Sequence, residues 1–161
     1  MTTRRFALPS IAIALCALPA FAQMPGAKVA SVTAKALPLT VARGGHGTLF
    51  LTVAVAPHYH INSNKPADKS LIPTVFTGMN SAGVTFGAAH YPTPKAIQLS
   101  SAKTPVLVYQ GKTVIAIPYT VAKTAKAGRA SLHGSLGYQA CNELSCFPPS
   151  SLPVKAAITI K

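Results

Sequence analysis

The sequence predicts an all-β fold, on three observations. Beyond residue 27, apolar residues alternate with polar ones or run in short blocks rich in Val, Ile and Thr. Gly and Pro, 11 and 14 in the whole chain, punctuate these blocks about every ten residues. No stretch in that region has the look of a good helix. Together these features describe one immunoglobulin-like antiparallel β-sandwich. It lacks the Trp and the widely spaced Cys pair that mark antibody domains.

The elements follow in order. Strands are expected near residues 29–34, 48–56, 71–77, 83–90, 105–109, 113–121, 129–140 and 152–160. Gly44-Gly45-His46-Gly47 is a turn, and Gln110-Gly111 predicts a tight hairpin between the strands on either side of it. There is no internal repeat, and no linker long enough to divide the chain. Residues 23–161 therefore form one domain.

Residues 1–22 are expected to be a cleaved signal peptide. Arg4 and Arg5 form a basic start, a short proline-broken apolar stretch follows, and Ala20-Phe21-Ala22 supplies a small-x-small cleavage pattern. Cys16 leaves with this segment. It is a poor lipidation site, because Leu15 stands where a small residue is wanted. No later apolar run is long enough for a transmembrane helix, so the mature chain is expected to be periplasmic, or extracellular, and not membrane-spanning. Thiols in those compartments tend to be oxidised.

Charge excludes several chemistries. The chain has 15 Lys+Arg against 2 Asp+Glu, and removing residues 1–22 leaves 13 bases. Asp68 and Glu143 are the only carboxylates. A two-carboxylate glycosidase or a polyacidic Ca²⁺ or Mg²⁺ site would have to borrow a partner's groups, and a Ser-His-Asp triad would have to use one of these two. The lysines are scattered singly, without a basic run or an aromatic ladder, so nucleic acid is not the expected partner.

The mature chain keeps two cysteines. Cys141-Asn142-Glu143-Leu144-Ser145-Cys146 lies between two strand-like runs, at the tip of a long hairpin. A disulfide here would either staple the loop or open and close. Closing about six residues is worth about 2 kcal/mol, against nearly 5 for a loop of 100, so the pair makes a weak staple. The C-x4-C spacing has no helix N-terminus beside it to stabilise a thiolate, and Glu143 disfavours one. Such a pair reacts well only when a docked partner supplies the environment. Zinc would need His58 and His60 as further ligands, and nothing in the sequence brings them to the tip. On a strand, His58 and His60 would share a face, a weak two-ligand copper or zinc site at best, with Tyr59 on the opposite face. Tyr138 belongs either to the core or to the packing around the disulfide.

Tyr138-Gln139-Ala140-Cys141 and Cys146-Phe147-Pro148-Pro149 closely resemble the cysteine hairpin of the N-terminal periplasmic domain of the thiol:disulfide interchange protein DsbD. His58-Tyr59-His60-Ile61-Asn62, Leu71-Ile72-Pro73-Thr74 and the stretch from Gly83-Val84 to Tyr91-Pro92 resemble other parts of that family. The resemblance covers roughly residues 30–160 and implies an immunoglobulin-like domain with Cys141 and Cys146 as a redox pair. Cys146 would form the mixed disulfide with a partner and Cys141 would resolve it. The implied activity is thiol–disulfide interchange, carrying reducing equivalents from a separate membrane-embedded donor to thioredoxin-like periplasmic proteins, without cofactor or metal. A cap loop shields the cysteines in that family. The resemblance implies a cap at residues 90–94 here, with Tyr91 as the aromatic cover over the sulfurs and His90 beside it.

Two departures stand out. The family protein continues into membrane and thioredoxin-like domains, whereas this chain ends at Lys161, so a free-standing module is expected. The acids near the family's cap are replaced by Ala88-Ala89-His90, and a histidine near the pair would favour thiolate. The alternative from another class is a noncatalytic secreted binding module with a structural disulfide.

Overall fold

The computed structural model describes residues 29–99 and 102–161. The expected signal segment, Cys16 included, lies outside them. Twelve strands are present: β1 Ala30–Leu37, β2 Thr40–Val41, β3 His46–Val55, β4 His60–Asn62, β5 Val75–Met79, β6 Val84–Phe86, β7 Lys95–Ile97, β8 Val106–Tyr109, β9 Lys112–Val121, β10 Gly128–Tyr138, β11 Ala140–Cys141 and β12 Ser150–Ile160. None of the described residues is helical.

Two four-stranded sheets make the sandwich, in the orders β1-β3-β9-β6 and β2-β12-β10-β5. Their pairings are antiparallel except for β2, which adds to β12 in parallel. The alternation seen in the sequence is the cause. Successive residues of a strand face opposite sides, so one set from each strand is buried. Leu49, Leu51 and Val53 of β3 meet Ile115, Ile117 and Tyr119 of β9, and Leu132, Leu136, Val154 and Ile158 come from the opposing sheet. Each large side chain removed from water contributes about 1.5–3 kcal/mol.

A third sheet, in the order β11-β4-β8-β7, is built at one end from continuations of the sandwich strands. β3 runs on into β4, β8 precedes β9, and β10 runs on into β11. The long strands thus bend out of the sandwich and pair again beyond it. Here the expected Gln110-Gly111 hairpin is corrected: β8 and β9 do not pair with each other. β8 pairs with β4 and β7, while β9 pairs with β3 and β6. Gly111, at φ 60°, turns the chain from one sheet to the next, and its carbonyl accepts the Val55 N–H at 2.8 Å. Gly tolerates that φ without steric cost.

The strand expected at 71–77 begins only at Val75, because residues 71–74 hydrogen-bond elsewhere. Thr74 N–H donates to Ser63 O, and Ile72 O accepts from Asn62. The strand expected at 83–90 ends at Phe86, with a single further bridge from His90 to Ala116. β2, β4, β7 and β11 are two or three residues long, too short to register as alternation.

At the sheet edge, Gly134 of β10 stands opposite Gly78 of β5. The rings of Phe76 and Phe86, in a T-shaped pair 5.5 Å apart, occupy the space above these glycines. A Cβ on Gly134 would lie 2.6 Å from the Phe76 ring and 2.8 Å from the Thr77 carbonyl oxygen. Gly134→Ala is therefore expected to destabilise the fold by about 1–3 kcal/mol, seen as a lower urea midpoint with an unchanged slope.

Candidate functional site

The two cysteines lie where β10 leaves the sandwich. β10 pairs with β12 from Gly128↔Ile160 to Tyr138↔Ser150, and residues 139–149 form the loop at the end of this hairpin. Gln139 is the residue of transition. Its Oε1 accepts hydrogen bonds from Asn62 Nδ2 and Ile72 N, both at 3.2 Å, and its Nε2 donates to Phe147 O at 3.2 Å. One side chain thereby ties β4, the arm at residues 71–74 and the far leg of the cysteine loop. Phe147 N–H donates to Ala140 O at 2.8 Å, closing the base of the loop. The Phe147 ring packs against Tyr59 at 5.7 Å between centroids.

Within the loop, Asn142 Oδ1 accepts from Leu144 N (2.9 Å) and Ser145 N (2.8 Å), an Asx turn that fixes the tip. Leu144 projects from it 89% exposed. Cys141 and Cys146 are bonded, with S–S 2.00 Å and Cα atoms 3.9 Å apart. Their burial is unequal: Cys141 is 2% exposed, whereas Cys146 lies on the surface. The inner sulfur belongs to the sheet and the outer one faces solvent.

Both cysteines border a cavity of about 360 Å³. Its walls are Ala67, Asp68 and Leu71 on one arm, Leu99 and residues 102–107 on another, and His60 and Asn62 on its floor. Asn62 is fully buried and donates to Ile72 O at 3.0 Å. Asp68 is exposed, and hydrogen bonds from the Ser70 backbone N–H (2.8 Å) and hydroxyl (2.7 Å) hold its carboxyl below the usual carboxylate range. His60 is 3% exposed, and burial pushes its pKa below the ordinary 6.5.

The sequence-derived candidates are placed as follows. Cys141 and Cys146 come together as a pair. Tyr138 joins the sandwich core, where burial raises its pKa. His90 pairs through its backbone with Ala116 of β9 (2.7 and 3.0 Å), and the Tyr91 hydroxyl accepts the Phe76 N–H at 2.9 Å. These two residues border a separate cavity, of about 430 Å³, with Asn64 and Lys65; neither lines the cavity that holds the sulfurs. His58 and His60 do not share a strand face. His58 is outside β4, at φ 66°, so the alternation expected of His58-Tyr59-His60 is broken before the strand begins. Among the described residues no group of three or more His, Cys, Asp or Glu is placed to hold a metal ion. No helix among them is long and apolar enough to cross a membrane.

Three contributors went unassigned in the sequence. Gln139 lies inside the Tyr138–Cys141 stretch, where nothing in the sequence gives it a role. Asp68 is marked in the sequence only by scarcity, as one of two acids. Residues 102–104, ahead of the expected strand at 105–109, have no periodicity to mark them.

The acid response of the fold follows from His60. Its folded pKa lies below the unfolded value, so the unfolded chain takes up the proton first as pH falls. Stability should accordingly decline as pH drops through about 6.5, and the decline should level off once the folded-state pKa is passed. Urea midpoints measured between pH 8 and 4.5 should show this decline, and His60→Gln should flatten it.

Comparison with known proteins agrees with this architecture. Residues 29–156 match the family described as thiol:disulfide interchange protein DsbD, N-terminal. Among solved structures, the N-terminal periplasmic domain of ScsB from Proteus mirabilis superposes with TM-score 0.58 at 21% identity, over 81% of this chain and 47% of that one. The chain thus spans about half of that relative's length, and the likeness is one of fold. The Neisseria meningitidis DsbD N-terminal domain in its reduced form matches at TM-score 0.44 and 17% identity, over 69% of this chain and 77% of that one. No curated protein matches the sequence. With a match spanning most of its length, the chain belongs to the DsbD N-terminal domain family, whose work is thiol–disulfide exchange.

Proposed function

We propose that this chain is a periplasmic exchange module that passes reducing equivalents through Cys141 and Cys146 to thioredoxin-like proteins. The unequal burial of the pair carries the proposal. A partner thiol or disulfide meets Cys146 first, because Cys146 is exposed and Cys141 is not. In the reduced module, the Cys146 thiolate attacks the partner's disulfide, forming a mixed disulfide and releasing one partner thiolate. Cys141 then attacks Cys146 Sγ, closing the internal bond and releasing the second partner thiolate. Two electrons leave the module, and a membrane-embedded donor restores them. Residues 1–22 export the chain and are removed.

Leu144 at the tip supplies an apolar contact beside the outer sulfur. Shielding of the inner sulfur falls to the arm containing residues 102–107. The scattered lysines add long-range attraction toward an acidic partner surface.

Single-cysteine variants test the division of roles. Incubated with an oxidised thioredoxin-like protein, Cys141→Ser should accumulate a mixed disulfide on non-reducing gels, and Cys146→Ser should accumulate none. Equal trapping by both variants would sink the assignment.

A further inference from the structure

We propose that His60 is the proton acceptor for the Cys141 thiol when that cysteine closes the disulfide, a role that rests on the exchange function above. The geometry is a row of three. Cys141 of β11 stands directly opposite His60 of β4 on one side and bridges to Cys146 on the other. Directly opposed residues of an antiparallel pair project to the same face, with Cβ atoms about 4.5–5.5 Å apart. His60, Cys141 and Cys146 accordingly border one cavity.

The second observation is an orphan. His60 is 3% exposed, and its Nε2 has no hydrogen-bond partner. Leaving a buried polar atom unsatisfied costs about 1–3 kcal/mol. The closed disulfide offers no proton donor, and reduction creates one at Cys141. That donor would stand at the ladder position directly opposite His60. Burial also keeps the imidazole neutral near pH 7, the form that can accept a proton.

The step balances. In the mixed disulfide, Cys141 S–H gives its proton to His60 Nε2, and the sulfur's electron pair attacks Cys146 Sγ. The Cys141–Cys146 bond forms as the bond from Cys146 to the partner sulfur breaks. The partner leaves as a thiolate, reduced, and the imidazolium returns the proton to it. The base compensates for the lack of a helix N-terminus beside the loop, a device that lowers thiol pKa elsewhere. Four other titratable groups border the two cavities that His60 lines: Asp68 and Lys103 in one, His58 and Glu143 in the other.

The test isolates Cys141. In a Cys146→Ser background, iodoacetamide alkylation of Cys141 is followed from pH 5 to 10. With His60 the profile should carry an imidazole step. With His60→Gln that step should vanish and the rate at pH 6.5 should fall at least about tenfold, general-base assistance typically contributing about 10²–10⁴-fold. NMR titration of the His60 imidazole in chains that retain it guards against a misfolded variant: Cys141→Ser in the same background should move the His60 midpoint. Superimposable alkylation profiles, or an unmoved midpoint, would overturn the proposal. A coupled profile in a module that fails to reduce thioredoxin-like proteins would overturn the relay and leave the pair standing. An intact relay with an uncoupled profile would overturn this inference alone.

Discussion

The site depends on one transition in the backbone, the passage of β10 out of the sandwich at Gln139. Up to Tyr138 the strand is held by β12 and β5. Three residues later Cys141 is paired with β4 in a different sheet. Between them Gln139 supplies three hydrogen bonds that join β4, residues 71–74 and the leg after Cys146. Hydrogen bonds of this kind contribute about 0.5–1.5 kcal/mol each. Their larger consequence is positional: they tie the far leg of the cysteine loop to β4 and to residues 71–74.

The end sheet differs physically from the sandwich. Between the main sheets the buried residues are almost wholly apolar. Beneath the cysteines the buried set includes His60, Asn62, Ser63 and Thr74. The Thr74 hydroxyl donates to Asn62 O, Asn62 Nδ2 donates to Ile72 O, and Ser63 N–H donates to Leu107 O at 2.9 Å. Polar atoms in such surroundings need partners, and most have them. Among the described residues His60 Nε2, Asn62 Oδ1 and the Tyr119 hydroxyl have none, and of these three residues His60 is the one paired with Cys141 in the ladder. A rigid apolar frame holds a small polar floor, and the floor holds the sulfurs.

Much of this was legible in advance. Alternation in 48–56, 113–121, 129–140 and 152–160 marked the four long strands, because each buries one face against the other sheet. The cysteine loop was legible as the tip of the last hairpin, since both flanking strands were. The bends were not. Gln110-Gly111 carries the local chemistry of a hairpin turn, and only the tertiary pairing of β8 with β4 makes it a corner between sheets. His58-Tyr59-His60 carries strand-like alternation, but the positive φ of His58 ends it before β4 begins. Asp68 and residues 102–104 border the cysteine cavity from segments whose course no local pattern encodes.

The claim that the pair is an exchange site is tested most directly by an equilibrium redox titration of the chain from Gln23, read by thiol alkylation and mass. The expected result is a reversible two-electron transition at a potential above about −300 mV, within reach of glutathione buffers. A bond that stays closed throughout such buffers would make the pair a structural staple and contradict the account.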